Sequence, residues 1–414
     1  MLDESLKERM DAFRVLVQWQ KDGSFIKESG LSPFAMELAL GVCRRHLYLQ
    51  YFIKTLVKKA PSLEVSTLLE MGLFQMFFME IPDHAAVSTS VELAKAANFG
   101  ASIASLVNAV LHAARRSGFP ALPPQKVRRV SIENSVPEWL VRRWFDIYGG
   151  TRAEALAKAT LERPTEWIRV NLQKTSAPVL AQKLGITGAS ILYDRYIQVP
   201  ADAKLKPILE SESFAKGEFS MQNPSAYEVV KLLDLKPDLK VWDACAAPGG
   251  KSALMAEMDS SLDILASDVS ESRVLKMRDV VERLGLTNVR VECRDVLGTA
   301  AEKSSSFDRI LLDVPCSNMG VIARRPESVY RITPESVKEL AELQYNILNA
   351  ASAKIAPNGI LVYATCSPDP EETTKIVNRF VKENPGFEKF GDAVFPGAED
   401  SRFDGFFAQA LRRK

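Results

Sequence analysis

The chain has 414 residues, enough at about 150 residues per domain for two or three domains with cores of their own. Hydrophobic residues make up 46% and charged residues 25%, no run reaches about 18 apolar residues, and no apolar segment follows the charged stretch Met1 to Met10; a spanning or secreted chain is not expected, and a cytoplasmic one is. The formal charge is only +1, but basic residues outnumber acidic ones 16 to 12 over 1–130 and 11 to 10 over 131–215, and trail them 26 to 30 over 216–414, so a nucleic-acid contact is expected to lean on the N-terminal part.

In chain order, residues 1–125 read as all helix. Ile103, Leu106, Val107, Val110, Leu111 and Ala114 repeat at helical spacing, as do the apolar residues of Met10–Trp19, Pro33–Leu56, Leu63–Phe78 and Val87–Ala97, which predicts five or six packed helices. Phe119-Pro120-Ala121-Leu122-Pro123-Pro124 cannot continue a helix and places the first boundary near residue 125. Residues 126–215 form a small α+β segment: helical Pro137–Ala159, strand-like Trp167–Asn171, helical Ala177–Leu184. From 216 to 414, apolar or β-branched runs at Lys240–Ala246, Asp263–Asp268, Asn288–Cys293, Arg309–Val314 and Gly359–Ala364 alternate with helical stretches such as Leu340–Ile355. That alternation predicts an α/β doubly wound, Rossmann-like domain with a parallel sheet.

The chemistry-bearing residues are few. Five cysteines, at 43, 245, 293, 316 and 366, form no C-x-x-C pair, and the three histidines, His46, His84 and His112, all precede the α/β domain. Triads, Cys-His dyads and local zinc sites are therefore not expected there, and no metal is predicted. Cys43 and Cys293 read as small core residues. Pro315 and Ser367 set Cys316 and Cys366 at strand exits instead.

Asp243-Ala244-Cys245-Ala246-Ala247-Pro248-Gly249-Gly250-Lys251-Ser252 puts a Gly-containing turn between the first strand and the next helix, where doubly wound folds bind ligands. A P-loop would need glycine at Cys245, and a dinucleotide fingerprint needs more glycines than Gly249 and Gly250. An S-adenosylmethionine pocket needs no ring of phosphate donors. Asp268, ending the second strand about 20 residues past the loop, stands where an acid accepts ribose hydroxyls, and Asp295 can border the adenine.

At Asp243–Ser252, Asp313-Val314-Pro315-Cys316-Ser317 and Tyr363-Ala364-Thr365-Cys366-Ser367 the sequence resembles the Sun (Fmu-type) RNA cytosine-C5 methyltransferases. Phe219–Ser225, Pro370-Glu371-Glu372 and Asp404-Gly405-Phe406-Phe407 follow in the family's order, and Ile81–Val87 with Val107–Leu111 is similar to the NusB-like helical RNA-binding domain of the branch that modifies bacterial small-subunit ribosomal RNA. The sequence departs from the family at Asn318-Met319, where Gly-Thr is usual, and at Asn223, where an acid is common.

The resemblance implies a NusB-like all-α domain, a small middle segment, and a methyltransferase domain that transfers a methyl group from S-adenosylmethionine to carbon 5 of a cytosine in 16S ribosomal RNA. It assigns attack on carbon 6 to Cys366 and breakdown of the methylated adduct to Cys316. It gives cofactor binding to Cys245, Ala246, Ala247, Pro248, Gly249, Gly250, Lys251, Asp268, Asp295 and Asp313, the last also a candidate partner for the cytosine edge. The chemistry agrees, because carbon 5 becomes nucleophilic only after a thiolate adds to carbon 6. An ordinary thiol of pKa near 8.5 is about 3% thiolate at pH 7, so Lys251 is a candidate source of positive potential.

RNA, most simply 16S rRNA, is the expected partner. The contacts would come from Arg44-Arg45, Lys54 with Lys58-Lys59, Arg115-Arg116 and Lys126 with Arg128-Arg129, and a monomer is expected. A transfer-RNA cytosine-C5 methyltransferase and a non-catalytic RNA-binding or transcription-factor-like protein are the alternatives. A zinc nucleobase deaminase is disfavoured, since Met319 stands where P-C-x-x-C needs its second cysteine.

Overall fold

The computed structural model describes residues 3–26, 29–298, 306–395 and 403–414. Two compact units divide it: Met1–Arg163 with Ile322–Ile332, and Pro164–Val321 with Thr333–Lys414. Among the described residues no helix is long and apolar enough to cross a membrane.

The first unit is helical: α1 Glu4–Asp22, α2 Pro33–Arg44, α3 His46–Leu56, α4 Leu63–Phe78, α5 Asp83–Ala96, α6 Gly100–Ser117, α7 Lys126–Asn134, α8 Glu138–Tyr148 and α9 Gly150–Ala159. Helix α4 starts at Ser62, whose hydroxyl accepts the Val65 N–H (3.4 Å), and its buried residues include Val65, Leu68, Leu69, Met71, Leu73 and Phe74. A helix apolar all round belongs in the centre of a bundle. Close approach to it demands glycine, since a Cβ on Gly41 would lie 2.1 Å from Phe74 Cζ. In α6 the predicted stripe holds at Val107, Val110, Leu111 and Ala114, but Leu106 is 38% exposed and Ala104 is buried instead. The single helical run expected over Pro137–Ala159 breaks at Gly149, where φ is 76°.

The compact helical unit continues past 125 to Arg163, because α7 packs on α3 and carries α8 and α9 with it. Residues 322–332 belong with these helices. The Tyr330 hydroxyl there donates toward the carbonyls of Cys43 (3.2 Å) and Ser135 (3.0 Å), and its ring lies edge-on to Trp19 and His46.

In the second unit, strands β1 Trp167–Val170, β2 Ile191–Leu192, β3 Tyr196–Gln198 and β4 Phe219–Met221 form an antiparallel sheet in the order β2-β3-β1-β4. Ile168, Val170, Ile197 and Phe219 pack against Leu180 of helix α10 Ala177–Lys183. Since β4 pairs with β1, the small sheet draws in residues beyond 215.

A seven-stranded sheet follows, in which β5 Lys240–Asp243, β6 Asp263–Asp268, β7 Val289–Cys293, β8 Phe307–Asp313, β9 Ile355–Thr365, β10 Phe387–Val394 and β11 Phe407–Arg413 lie in the order β10-β11-β9-β8-β5-β6-β7. The five predicted strands pair in parallel, while β10 and β11 add an antiparallel edge, making the doubly wound sheet mixed. Period-2 alternation feeds two cores: Val241, Ile264, Leu311 and Val362 face one, and Trp242, Leu265, Ile310, Leu312, Leu361 and Tyr363 the other. From β5 the chain runs to β6 and β7 on one side and returns to β8 and β9 on the other, so the crevice beyond the strand ends opens between β5 and β8.

Candidate active site

Three segments meet at that crevice. The loop after β5 runs into helix α14 Gly250–Met258. The Ala246 N–H donates to the Ser267 carbonyl of β6 (2.8 Å) and the Gly249 N–H to the Ala246 carbonyl (2.7 Å), folding the loop back on itself. Gly249 has φ 98°, and a Cβ there would press on Met277 Cγ at 2.9 Å, two reasons for glycine. The Ala247–Pro248 peptide is cis.

Asp243 is 1% exposed, and burial pushes its carboxyl up to about 7 against the pull of Ser252 and Lys251. Its Oδ2 accepts from Ser252 Oγ (2.6 Å), while Oδ1 has no hydrogen-bond partner among the described residues. The Cys245 thiol is driven up by burial and then by the charges of Asp243 and Asp313, which keeps it neutral.

Asp268 is also buried, and its Oδ1 accepts the Ser270 N–H (2.9 Å) and pairs with Arg273 (2.7 Å). Beside it Val269 exposes 62% of its surface. Asp295 is exposed and accepts the Leu297 N–H (3.0 Å) as a loop cap. Cys293, expected in the core, is exposed: it shares a face with buried Val289 and half-buried Val291, but it is the last residue of the edge strand β7, past the part of that face the core covers. Cys43 is buried as expected.

The other two segments leave β8 and β9, parallel neighbours with Asp313 opposite Ala364. This register brings Cys316 and Cys366, fifty positions apart, to a sulfur–sulfur separation of 2.8 Å. Cys366 also donates to Asn318 Oδ1 (3.1 Å), and the Asn318 amide donates to the Cys316 carbonyl (3.2 Å). Proton sharing with Cys316 comes first and burial second in raising the Cys366 thiol well above its ordinary range; Lys251 opposes them. Burial is the largest influence on Lys251 and works against its charge, but the Asp313 carboxylate, in direct contact with it, and the nearby Asp243 together raise its pKa.

Residues that sequence reasoning passed over hold the cysteines from below. Glu372, fully buried, accepts from the Ser317 N–H (2.9 Å), Ser317 Oγ (2.5 Å) and Gln344 Nε2 (2.9 Å), and Gln344 also donates to the Pro315 carbonyl (2.9 Å). The signal was present, since Glu372 closes Pro370-Glu371-Glu372 and Ser317 follows Cys316 directly. The Gly320 N–H donates to the Cys366 carbonyl (2.8 Å), and a Cβ on Gly320 would lie 2.1 Å from the Gly405 carbonyl oxygen, so glycine is structurally required at 320. On the other side of the loop, fully buried Arg169 of β1 donates to Glu257 of α14 (3.0 and 2.8 Å), the Gly250 carbonyl (2.7 Å) and Gln222 Oε1 (2.5 Å).

In the helical unit Lys54, Lys58, Lys59, Arg115, Arg116, Lys126, Arg128 and Arg129 are exposed, with Arg115 paired to Asp83 and Lys126 to Glu154. Arg44 and Arg45 turn inward, to the Ala323 carbonyl (3.0 Å) and over the Phe78 ring (4.2 Å). No group of three or more His, Cys, Asp or Glu among the described residues is placed to hold a metal ion.

Residues 230–408 match the family described as 16S rRNA methyltransferase RsmB/F, 6–116 the NusB family, and 136–196 the ferredoxin-like domain of RsmF/B-like methyltransferases. A probable ribosomal RNA small subunit methyltransferase B of Bacillus subtilis is 34% identical over 94% of this chain and 93% of its own. The ribosomal RNA small subunit methyltransferase B of Klebsiella pneumoniae is 32% identical over 91% and 89%. A methyltransferase homologue from Pyrococcus horikoshii, whose crystal structure covers 71% of this chain and 100% of its own, superimposes with a TM-score of 0.61 at 26% identity. With a matching helical domain, ferredoxin-like segment and C-terminal domain in the same order, the chain belongs to the RsmB/F (Sun) family of methyltransferases that carry a NusB-like domain.

Proposed function

We propose that this protein transfers a methyl group from S-adenosylmethionine to carbon 5 of a cytosine in 16S ribosomal RNA, with residues 216–414 carrying the chemistry and the N-terminal helices contributing RNA affinity. The observation that carries the reading is the pair Cys316 and Cys366, 2.8 Å apart at the ends of β8 and β9 beside the β5 loop. The names of the relatives support the RNA class.

The β5 loop fits the cofactor. The unpartnered, buried Asp243 Oδ1 suits a cationic group, Asp268 suits ribose hydroxyls, and exposed Val269 next to it offers an apolar face to the adenine. Cys245, Ala246, Ala247, Pro248, Gly249, Gly250 and Lys251 would line the backbone side, with Asp295 at the adenine edge and Asp313 near the base. When bound, S-adenosylmethionine supplies a sulfonium-activated methyl group.

The chain's own part begins with a neutral Cys366 thiol, so attack requires its proton to leave as the base arrives. The sulfur then bonds to carbon 6 and the ring becomes an enamine with a nucleophilic carbon 5. After methylation the carbon 5 proton must be removed and the carbon–sulfur bond broken, the step given to Cys316. A base outside a helix reaches such a crevice at least cost.

Incubation with 16S rRNA and S-adenosylmethionine, followed by denaturing electrophoresis, tests the assignment. Cys366→Ala should give neither methylation nor adduct, and Cys316→Ala should accumulate an RNA adduct. A stable adduct from Cys366→Ala and none from Cys316→Ala reverses the roles.

A further inference from the structure

The β2–β3 connection lies outside every motif so far described. It is a three-residue turn in which the Arg195 N–H donates to the Leu192 carbonyl (3.1 Å), and Tyr193 and Asp194 both sit in the left-handed region, φ 52° and 55°. For an aromatic residue that conformation is an outlier, tolerated where the surroundings enforce it and common at ligand-contacting sites. The turn displays Tyr193, 38% exposed. Its ring lies 4.7 Å from Tyr227 of helix α13 Ser225–Lys231, tilted 32°, and fully buried Tyr196 backs both at 6.3 and 6.4 Å.

Cations surround these rings. Lys231 Nζ stands 5.9 and 5.8 Å from the centres of Tyr193 and Tyr227, and the Arg195 guanidinium 5.4 Å from Tyr227. The Arg195 Nε and Nη1 donors are buried against the rings and find no acceptor among the described residues. The acids on these segments are Glu228, 3.4 Å from Lys231, and Asp194 of the turn itself. The cluster is joined to the β5 loop: Tyr196 donates to Gln222 Oε1 (3.2 Å), and the Gln222 amide lies 2.9 Å from where a Gly250 Cβ would stand.

We propose that Tyr193, backed by Tyr227 and Tyr196, is a stacking platform for an unpaired base of the RNA substrate, with exposed Lys231 facing the neighbouring phosphate and Arg195 adding positive potential from beneath the rings. An aromatic face flanked by cations is the chemistry that binds single-stranded nucleic acid, every base having a π-face and every linkage a negative charge. A protein partner of matching charge would need carboxylates, and those would forgo the stacking. The inference deepens the reading above, on which it rests, by naming where a nucleotide outside the reacting base is held.

The test uses the full chain and fluorescence anisotropy with a mixed-sequence single-stranded oligoribonucleotide and with 16S rRNA, alongside S-adenosylmethionine binding as a check on folding. Tyr193→Ala should weaken RNA binding roughly 5- to 100-fold, as expected for one lost base stack, with cofactor affinity unchanged. Tyr193→Trp should bind at least as well as wild type. Lys231→Gln should flatten the dependence of log affinity on log salt by about one unit. Wild-type affinity in Tyr193→Ala, or equal losses in the Ala and Trp variants, overturns the platform while leaving the methyltransferase reading intact. Failure of the wild-type chain to bind any RNA overturns both.

Discussion

Replacing Arg169 with methionine should loosen the β5 loop. The guanidinium is fully buried and bonds both oxygens of Glu257, itself 1% exposed at the side chain, so the substitution leaves a carboxylate without its partner inside the protein. Stranding one member of such a pair costs about 3–5 kcal/mol. It also removes the donor to the Gly250 carbonyl at the start of α14. Because the two units need not unfold together, the loss is best read locally, by hydrogen exchange of the peptides covering Trp167–Val170 and Gly250–Met258. Protection there should fall about 100-fold or more at these energies, while peptides of α4 keep theirs, and S-adenosylmethionine should bind more weakly. A second change, Glu257→Gln, removes the stranded charge and should restore part of the protection. Protection within about threefold of wild type in Arg169→Met, or no recovery in the double variant, would refute the reasoning.

Two further outcomes follow from the site. Gly320→Ala forces a Cβ against the Gly405 carbonyl, so the loop that hydrogen-bonds Cys366 must shift at a cost of about 1–3 kcal/mol; methyl transfer should fall far more than the melting temperature, and wild-type turnover would disprove the contact. Asp243, pushed up to about 7 by burial, favours the folded state while protonated, so its stabilising contribution is complete below the usual carboxylate range and is lost as pH rises through 7. Asp243→Asn lacks that loss, and its stability relative to wild type in urea titrations should rise between pH 4 and 8, by at most about 4 kcal/mol; a difference flat with pH would contradict the burial argument.

Signals carried by neighbouring residues were legible without any structure. The helical stripe ending at Val110, Leu111 and Ala114, the span of α4, the five parallel strands and the turn after β5 all arise within a few residues of one another, where backbone geometry fixes which side chains share a face. Motif order likewise grouped Cys316, Cys366 and the β5 loop as one candidate site. Whatever depended on distant partners was decided by the tertiary structure. Periodicity could not tell that Leu106 would face outward or that Cys293 would be exposed at the end of an edge strand, because exposure depends on which elements pack alongside. The division after Arg163, the association of 322–332 with the helices, and the antiparallel edge of β10 and β11 come from pairings that leave no local mark. Most consequential for the chemistry, the Cys316–Cys366 contact and the Arg169–Glu257 pair join residues 50 and 88 positions apart, and only strand order and register bring those side chains within bonding distance.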